Sequence, residues 1–450
     1  LPSSRALGLL TNAQLDDAAQ QRLVQALRAL PAGLASLQID GCALGPKGMT
    51  SLAAMLCEDP WPTALTRLTM AHNPVGKDEG TIALAAALRC CHVLVELDLT
   101  HTQIELHPIL EALVASASLH RSLESLHLGT NKLPRASAAL LAEFASKSSS
   151  LATLGLSRTQ LSPDCLEMVT AAMLSNTSLN SVSLDASDNE LGEKCARQLA
   201  TQLKSSPGAA AGSLRALKLR STSLSEGGVA ALLLPLATYS RLQQLDLSSN
   251  MRRRMVPWPS SGDEQLGPAL VELLRRCERL RSLSLGASDK DAGCVRAELS
   301  GLADVLSAHT SLTVLDITSL RLEEEGLLEI AAALPPNATL LTLTTSLKPR
   351  GAQALAAEAT IRSLLERNRN IANRSLRSGS FEPPPISGTS GSTVTAASAA
   401  PAAAMESSSR SELFLQAPLR RPTSPSLPPS SPPAIPASSQ ERAGPTASLP

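Results

Sequence analysis

An α/β solenoid is the fold class this sequence predicts. Three observations predict it: a leucine pattern that returns along most of the chain, helical stretches between its copies, and a core short of aromatic residues. The stretch "LTRLTM" places Leu65, Leu68 and Met70 at relative positions 0, 3 and 5, with Asn73 at 8 and Val75 at 10. The pattern recurs as "LASLQI" from Leu34, "LVELDL" from Leu94, "LESLHL" from Leu123, "LATLGL" from Leu151 and "LNSVSL" from Leu179. It continues as "LRALKL" from Leu214, "LQQLDL" from Leu242, "LRSLSL" from Leu280, "LTVLDI" from Leu312 and "LLTLTT" from Leu340. The starts are mostly about 28 residues apart, the spacing of a leucine-rich repeat of the long, helix-containing kind.

Each position has a physical reason. Alternation at 3 and 5 makes a short strand with its apolar side chains on one face. The first leucine and the later one (Leu44, Val75, Ile104, Leu133, Leu161, Leu191, Leu224) pack on either side of it. Asn73, Asn131 and Asn250 stand where the chain leaves the strand, and an asparagine there supplies both a donor and an acceptor to the turning backbone. "GTIALAAALRCC" and "LVELLRRC" read as amphipathic helices. No unit buries both its strand and its helix alone, so the units must stack.

The expected organisation is a horseshoe over residues 1–347, with about eleven strands in a parallel concave sheet some 50 Å long and helices outside. The helical stretch at 16–30 belongs to an incomplete earlier unit, and repeats are expected to continue upstream of Leu1. Residues 348–374 are expected to form a helix capping the open end of the core. Its Arg362, Arg367, Arg369 and Arg374 read as a solvated basic face. From 375 to 450, rich in Pro, Ser and Ala, a disordered tail is expected.

Composition narrows the function. Forty basic and forty acidic side chains cancel, and the aromatics number two Trp, one Tyr and three Phe. That removes both the long-range attraction and the stacking platforms a nucleic-acid binder uses. The eight cysteines include no C-x-x-C pair and mostly fall in apolar helical stretches, so they read as reduced and intracellular. The apolar run 229–237 is too short to span a bilayer. No Walker loop, dinucleotide fingerprint, H-E-x-x-H or G-x-S-x-G occurs, so neither enzyme chemistry nor a cofactor is expected. Asn176, Asn337 and Asn373 begin N-x-S/T triplets, and the first two, just ahead of strands, read as repeat punctuation.

Candidate binding residues fall in three places. The stretched loop "MRRRMVPWPSSGDEQ" carries Arg252, Arg253, Arg254 and Trp258 to the rim, where Arg beside Trp can hold an acidic partner or a lipid head group. On the concave surface, otherwise small and acidic (Asp40, Glu96, Asp98, Asp185, Asp246, Asp316), the cations Arg67, Lys218 and Arg220 stand out. In the tail, Pro422, Pro425 and Pro428, then Pro433 and Pro436, have the P-x-x-P spacing of a polyproline II ligand for an SH3-type groove. Ser380, Thr423 and Ser424 follow basic residues and are candidate phosphorylation sites. Changing Arg252, Arg253 and Arg254 together to Glu should leave the melting temperature almost unaltered, because the loop lies outside the stack. Loss of cooperative melting would assign the loop a structural role instead.

The period with intervening helices resembles the ribonuclease-inhibitor type of leucine-rich repeat over roughly residues 7–347. That fold serves inhibitors, GTPase activators, immune sensors and scaffolds alike. The long unit "LRSLSLGASDKDAGCVRAELSGLADVLSAHTSL", followed by "LEEEGLLEIAAALPPNATL", "IRSLLERNRN" and a proline-rich tail, resembles the end of the array in CARMIL proteins, large actin-regulatory scaffolds. The resemblance implies a cytoplasmic scaffold at the cell cortex, with actin capping protein and the SH3 domains of myosin I as partners. The tail lacks the His-Thr-Arg-Pro-Lys pattern of the family's capping-protein segment, so that role falls on no numbered residue. The same repeat leaves two alternatives: a Ran-type GTPase-activating protein, and the sensing repeats of an NLR-type immune receptor.

Overall fold

The computed structural model describes residues 6–8, 14–30, 34–205, 213–251, 266–286, 295–296 and 299–377, all within the first of two compact units, Leu1–Ile386. Arg252, Arg253, Arg254, Trp258, Ser380, Pro422, Thr423, Ser424, Pro425, Pro428, Pro433 and Pro436 lie outside the described residues.

The strands follow the leucine pattern. They are β1 (Ala6–Gly8), β2 (Ser36–Gln38), β3 (Arg67–Thr69), β4 (Glu96–Asp98), β5 (Ser125–His127), β6 (Thr153–Gly155) and β7 (Val182–Asp185). Then come β8 (Leu214–Lys218), β9 (Gln244–Asp246), β10 (Ser282–Ser284), β11 (Val295–Arg296), β12 (Val314–Ile317), β13 (Leu320–Arg321) and β14 (Thr342–Thr345). Twelve of them form one parallel sheet in the order β1 to β10, β12, β14, each bonded to its sequence neighbour in the array. The central leucines stay in register across it, Leu37 with Leu68, Leu97, Leu126 and Leu154 in turn. Helices such as Pro46–Leu56, Glu79–Cys90 and Arg135–Lys147 return the chain between strands. Their inward residues join the leucines in one apolar cluster running from Val24 to Leu365.

Three details differ from the sequence reading. The incomplete first unit contributes a strand, β1, which extends the sheet by pairing with β2. A second, two-stranded sheet joins β11 to β13. Leu320, at the position held by Asn, Thr or Cys in the repeats from Cys42 to Asn250, follows a two-residue turn at Thr318 and Ser319 and begins β13. The repeat from Leu179 also sits two residues later than its leucines suggest: Leu184, not Val182, is in register with Leu154 and Leu217. Counted from Ser181, Asn189 and Leu191 fall at positions 8 and 10, and those two fixings outweigh an extra buried Leu179 and Val182. Because a shift of two preserves strand faces, Ser183 and Asp185 remain on the open face.

Buried side chains fasten adjacent repeats along two lines. At position 8 the chain alternates: Cys42, Asn73, Thr102, Asn131, Thr159, Asn189, Thr222, Asn250. Each asparagine serves its own repeat and the one before. Asn73 Oδ1 accepts from the N–H groups of Cys42 and Leu44, both at 2.9 Å, while its Nδ2 donates to Ile39 O at 2.7 Å and Met70 O at 2.8 Å. Asn250 binds Thr222 N and Leu224 N in the same way. The intervening threonines donate to their own turn, as Thr102 Oγ1 does to Leu99 O at 2.7 Å.

The second line runs where the helices end. Asn176 donates to Ala145 O and Ser148 O, and Asn337 to Leu306 O and His309 O, so these asparagines are punctuation as read from the sequence. His309 does the same work: Nδ1 accepts from Ser311 N and Leu312 N at 3.2 and 3.1 Å, and Nε2 faces Cys277 O at 3.3 Å. With Nδ1 an acceptor, the ring must be neutral. Burial, the largest cause, holds its pKa below the ordinary histidine value. The unfolded chain therefore takes up the proton first, and the stability His309 confers is complete above about pH 6.5 and lost as pH falls through its folded value. His120, lowered chiefly by burial and then by Lys147, adds in the same direction. Thermal melts between pH 7.5 and 5 should fall more gently for His309→Asn than for the parent chain. An unchanged slope would remove His309 as a cause.

The terminal helix is Ala352–Arg377. Its start is set by Glu324, whose Oε1 accepts from Arg350 N and Gly351 N at 3.0 and 3.3 Å and whose carboxyl is lowered by those bonds. The helix's arginines are not all a solvated face. Arg367 donates to Pro335 O and Asn337 O, Arg369 to Leu341 O, and buried Asn368 to Asn337 O and Leu340 O. Arg362 pairs with Glu358 along the helix. The helix thus covers the last repeat by satisfying its carbonyls as well as burying Ile361 and Leu365.

Candidate partner-binding face

The open face of the sheet is built from the strand residues flanking each central leucine. Parallel register stacks them into rows. One row reads Arg67, Glu96, Ser125, Thr153, Ser183; the next reads Thr69, Asp98, His127, Gly155, Asp185, Lys218, Asp246. Arg67 meets Glu96 in an ion pair at 2.5 Å. Lys218 stands in register between Asp185 and Asp246, and Arg220 is exposed two residues on. The sequence-read cations therefore lie on the expected face, in two groups: Arg67 on β3, and Lys218 with Arg220 at the end of β8.

The acids have a structural duty. Asp98 Oδ1 accepts from Thr100 N at 2.8 Å, Asp185 from Ser187 N, Asp246 from Ser248 N and Oγ, and Asp316 from Thr318 N and Oγ1. Asp40 reaches across to Ala71 N at 2.8 Å. Each carboxylate shapes the turn after its strand and still presents charge to the open face. His127 lies over Gly155, where an added Cβ would stand 2.6 Å from the ring Nδ1, and its Nε2 is 3.0 Å from Ser125 Oγ. The glycine permits the ring to lie flat along the sheet.

A rim line passed over in the sequence runs beside this face. His72, His101, Thr130, Arg158, Asp188, Ser221 and Ser249 all have positive φ between 54° and 61°. Left-handed backbone aims each N–H at the next repeat, as His72 N does at Thr100 O and His101 N at Gly129 O, both 2.8 Å. The rings of His72 and His101 contact at 5.2 Å, and Arg158 pairs with Asp188 at 3.1 Å. The signal was the position itself, one residue before the Asn or Thr of each repeat, where residue type varies and only the backbone is shared.

The open face presents charged and hydrogen-bonding side chains. Burial pushes the thiols of Cys91, Cys195 and Cys277 up to about 12, leaving none of the three as a ready nucleophile. Among the described residues no three His, Cys, Asp or Glu are grouped to hold a metal, and no helix is long and apolar enough to cross a membrane. A separate cleft of about 230 Å³ lies between the last repeats and the terminal helix, lined by Arg281, Thr313, Thr339, Ile371 and Ser375 among others.

No family model matches the chain. It is 25% identical over 281 residues to Protein CARMIL of Dictyostelium discoideum, a match covering 62% of this chain and 26% of that protein. It is 27% identical over 346 residues to capping protein, Arp2/3 and myosin-I linker protein 3 of Rattus norvegicus, covering 74% and 24% respectively. The chain thus spans about a quarter of the length of these two relatives. Ribonuclease inhibitor of Sus scrofa is 28% identical over 386 residues, which cover 84% of this chain and 76% of the inhibitor. With its helix-backed parallel sheet and its two-repeat alternation of asparagine with threonine or cysteine, the chain is a ribonuclease-inhibitor-type leucine-rich repeat protein resembling CARMIL.

Proposed function

We propose that this chain is a non-enzymatic protein-binding scaffold of the actin cytoskeleton, working in the cytoplasm at the cell cortex. The observation that carries the reading is the likeness to CARMIL relatives across 62% and 74% of the chain, one of them named as a linker of capping protein, Arp2/3 and myosin-I. The open face supports a protein partner. Arg67 stands beside Glu96 in one row and Lys218 between Asp185 and Asp246 in the next, with Arg220 exposed beyond it, a pattern that suits a partner of complementary charge. Arg252, Arg253, Arg254 and Trp258 are proposed as a second contact, for an acidic protein surface or a lipid head group. The prolines 422, 425, 428, 433 and 436 are proposed as an SH3-type ligand, with Ser380, Thr423 and Ser424 as phosphorylation sites that retune the same segment.

The test is a pull-down by the purified full chain, offered actin capping protein and a myosin-I SH3 domain separately. Retention of at least one is expected. Charge reversal of Lys218 and Arg220 to Glu should weaken any partner held by the open face at least tenfold and leave SH3 capture unchanged. Recovery of neither protein removes the actin assignment, and stimulation of GTP hydrolysis by a Ran-type GTPase would replace it with the activator reading.

A further inference from the structure

Cys57 and Cys90 stand at the C-terminal ends of adjacent helices, Pro46–Leu56 and Glu79–Cys90, on the helical side of the array. Their sulfurs are 2.7 Å apart. Cys57 is exposed and Cys90 partly so, whereas Cys42, Cys91, Cys165, Cys195 and Cys277 are buried. The pair is held by the stack and not by chain proximity: 33 residues separate the two positions, and the packing of one repeat's helix on the next brings them together.

We propose that Cys57 and Cys90 form an oxidative modification site that takes a hydroperoxide as its oxidant and closes to a disulfide between two neighbouring repeats. The geometry separates this from a metal site. Two thiolates on one tetrahedral zinc ion, each about 2.3 Å from the metal, sit roughly 3.8 Å apart, well outside the observed 2.7 Å. A disulfide needs about 2.05 Å, a closure of well under an ångström from the observed spacing. In the reaction one sulfur, as its thiolate, attacks the peroxide, breaking the O–O bond and releasing an alcohol, or water from hydrogen peroxide, as it becomes a sulfenic acid. The second sulfur then attacks the first, the S–O bond breaks and water leaves with the thiol proton. Two thiols are oxidised and one peroxide is reduced. Burial, the Cys90 sulfur and then Glu58 push the Cys57 thiol up to about 12, and the thiolate that the reaction consumes grows with rising pH. The bond would tie the two repeats covalently at an edge where His92 N already donates to Pro62 O at 3.0 Å.

The experiment treats the folded full chain with hydrogen peroxide at pH 7 and pH 8.5, blocks remaining thiols, and maps peptides without reduction. The expected product is one intramolecular disulfide joining the peptide of Cys57 to the peptide that begins at Cys90, formed several-fold faster at pH 8.5. That second peptide also contains Cys91, so fragment-ion sequencing must place the bond on Cys90. The link should persist in Cys91→Ala and vanish in Cys90→Ser. No link, a link on Cys91, a link surviving Cys90→Ser, or only intermolecular disulfides would each overturn the proposal. So would a link formed no faster at pH 8.5.

Discussion

Asn189→Ala is expected to destabilise the array by about 3 to 5 kcal/mol, among the largest effects of any single polar substitution. Asn189 is 2% exposed. Its Oδ1 accepts from Thr159 N at 3.0 Å and Leu161 N at 2.9 Å, and its Nδ2 donates to Leu156 O and Ala186 O, both at 2.9 Å. Truncation strands two N–H groups and up to two carbonyls in two repeats at once. Each buried orphan costs on the order of 1 to 3 kcal/mol, and partial entry of water lowers the sum. Asn189→Thr should cost less, because threonine at the alternate positions keeps a bond to its own turn, as Thr159 Oγ1 does to Leu156 O at 2.9 Å. Denaturant unfolding of the three proteins checks the order. A loss below about 1 kcal/mol for the alanine variant would show that the repeats are fastened elsewhere.

Leu126→Ala should cost on the order of 2 to 5 kcal/mol. Leu126 is fully buried and in register between Leu97 and Leu154, so the cavity opens in the middle of the stack, where strands on both sides prevent collapse. Loss of contact is felt by both neighbouring units, since a solenoid holds each repeat only through its neighbours. Ile82→Ala is the matched control. Ile82 is 65% exposed on the helix Glu79–Cys90, and its truncation should fall within about 0.5 kcal/mol. Equal melting temperatures for the parent chain and Leu126→Ala would contradict the assigned place of that leucine.

Much of this molecule was legible because one short pattern states both a local conformation and a need for neighbours. Leu65, Leu68 and Met70 specify a strand with a single apolar face, and that face finds cover only in the next unit. The frame of the sixth repeat was misread because Leu179 and Val182 mimic the pattern two residues early. The hydrogen bonds of Asn189 and the burial of Leu191 choose between the two frames, and those bonds depend on atoms from the repeat before. The candidate cations were legible as residues on the open face, yet the Arg67–Glu96 pair required the register between β3 and β4. The arginines of the terminal helix looked like a solvated surface, because nothing in their spacing reveals the carbonyls of the last repeat opposite Arg367 and Arg369.

The sequence by itself determined the strand–helix unit, its roughly constant period and the apolar positions, since these follow from side-chain alternation and from the need of each half-covered unit to be covered. Tertiary structure alone decided which polar groups meet: the asparagines that each serve two repeats, the neutral His309 at a helix end, and the two thiols at adjacent helix ends. Those contacts join residues about 30 positions apart, and their partners are set by how one coil seats on the next, a distance and angle that local preferences do not contain.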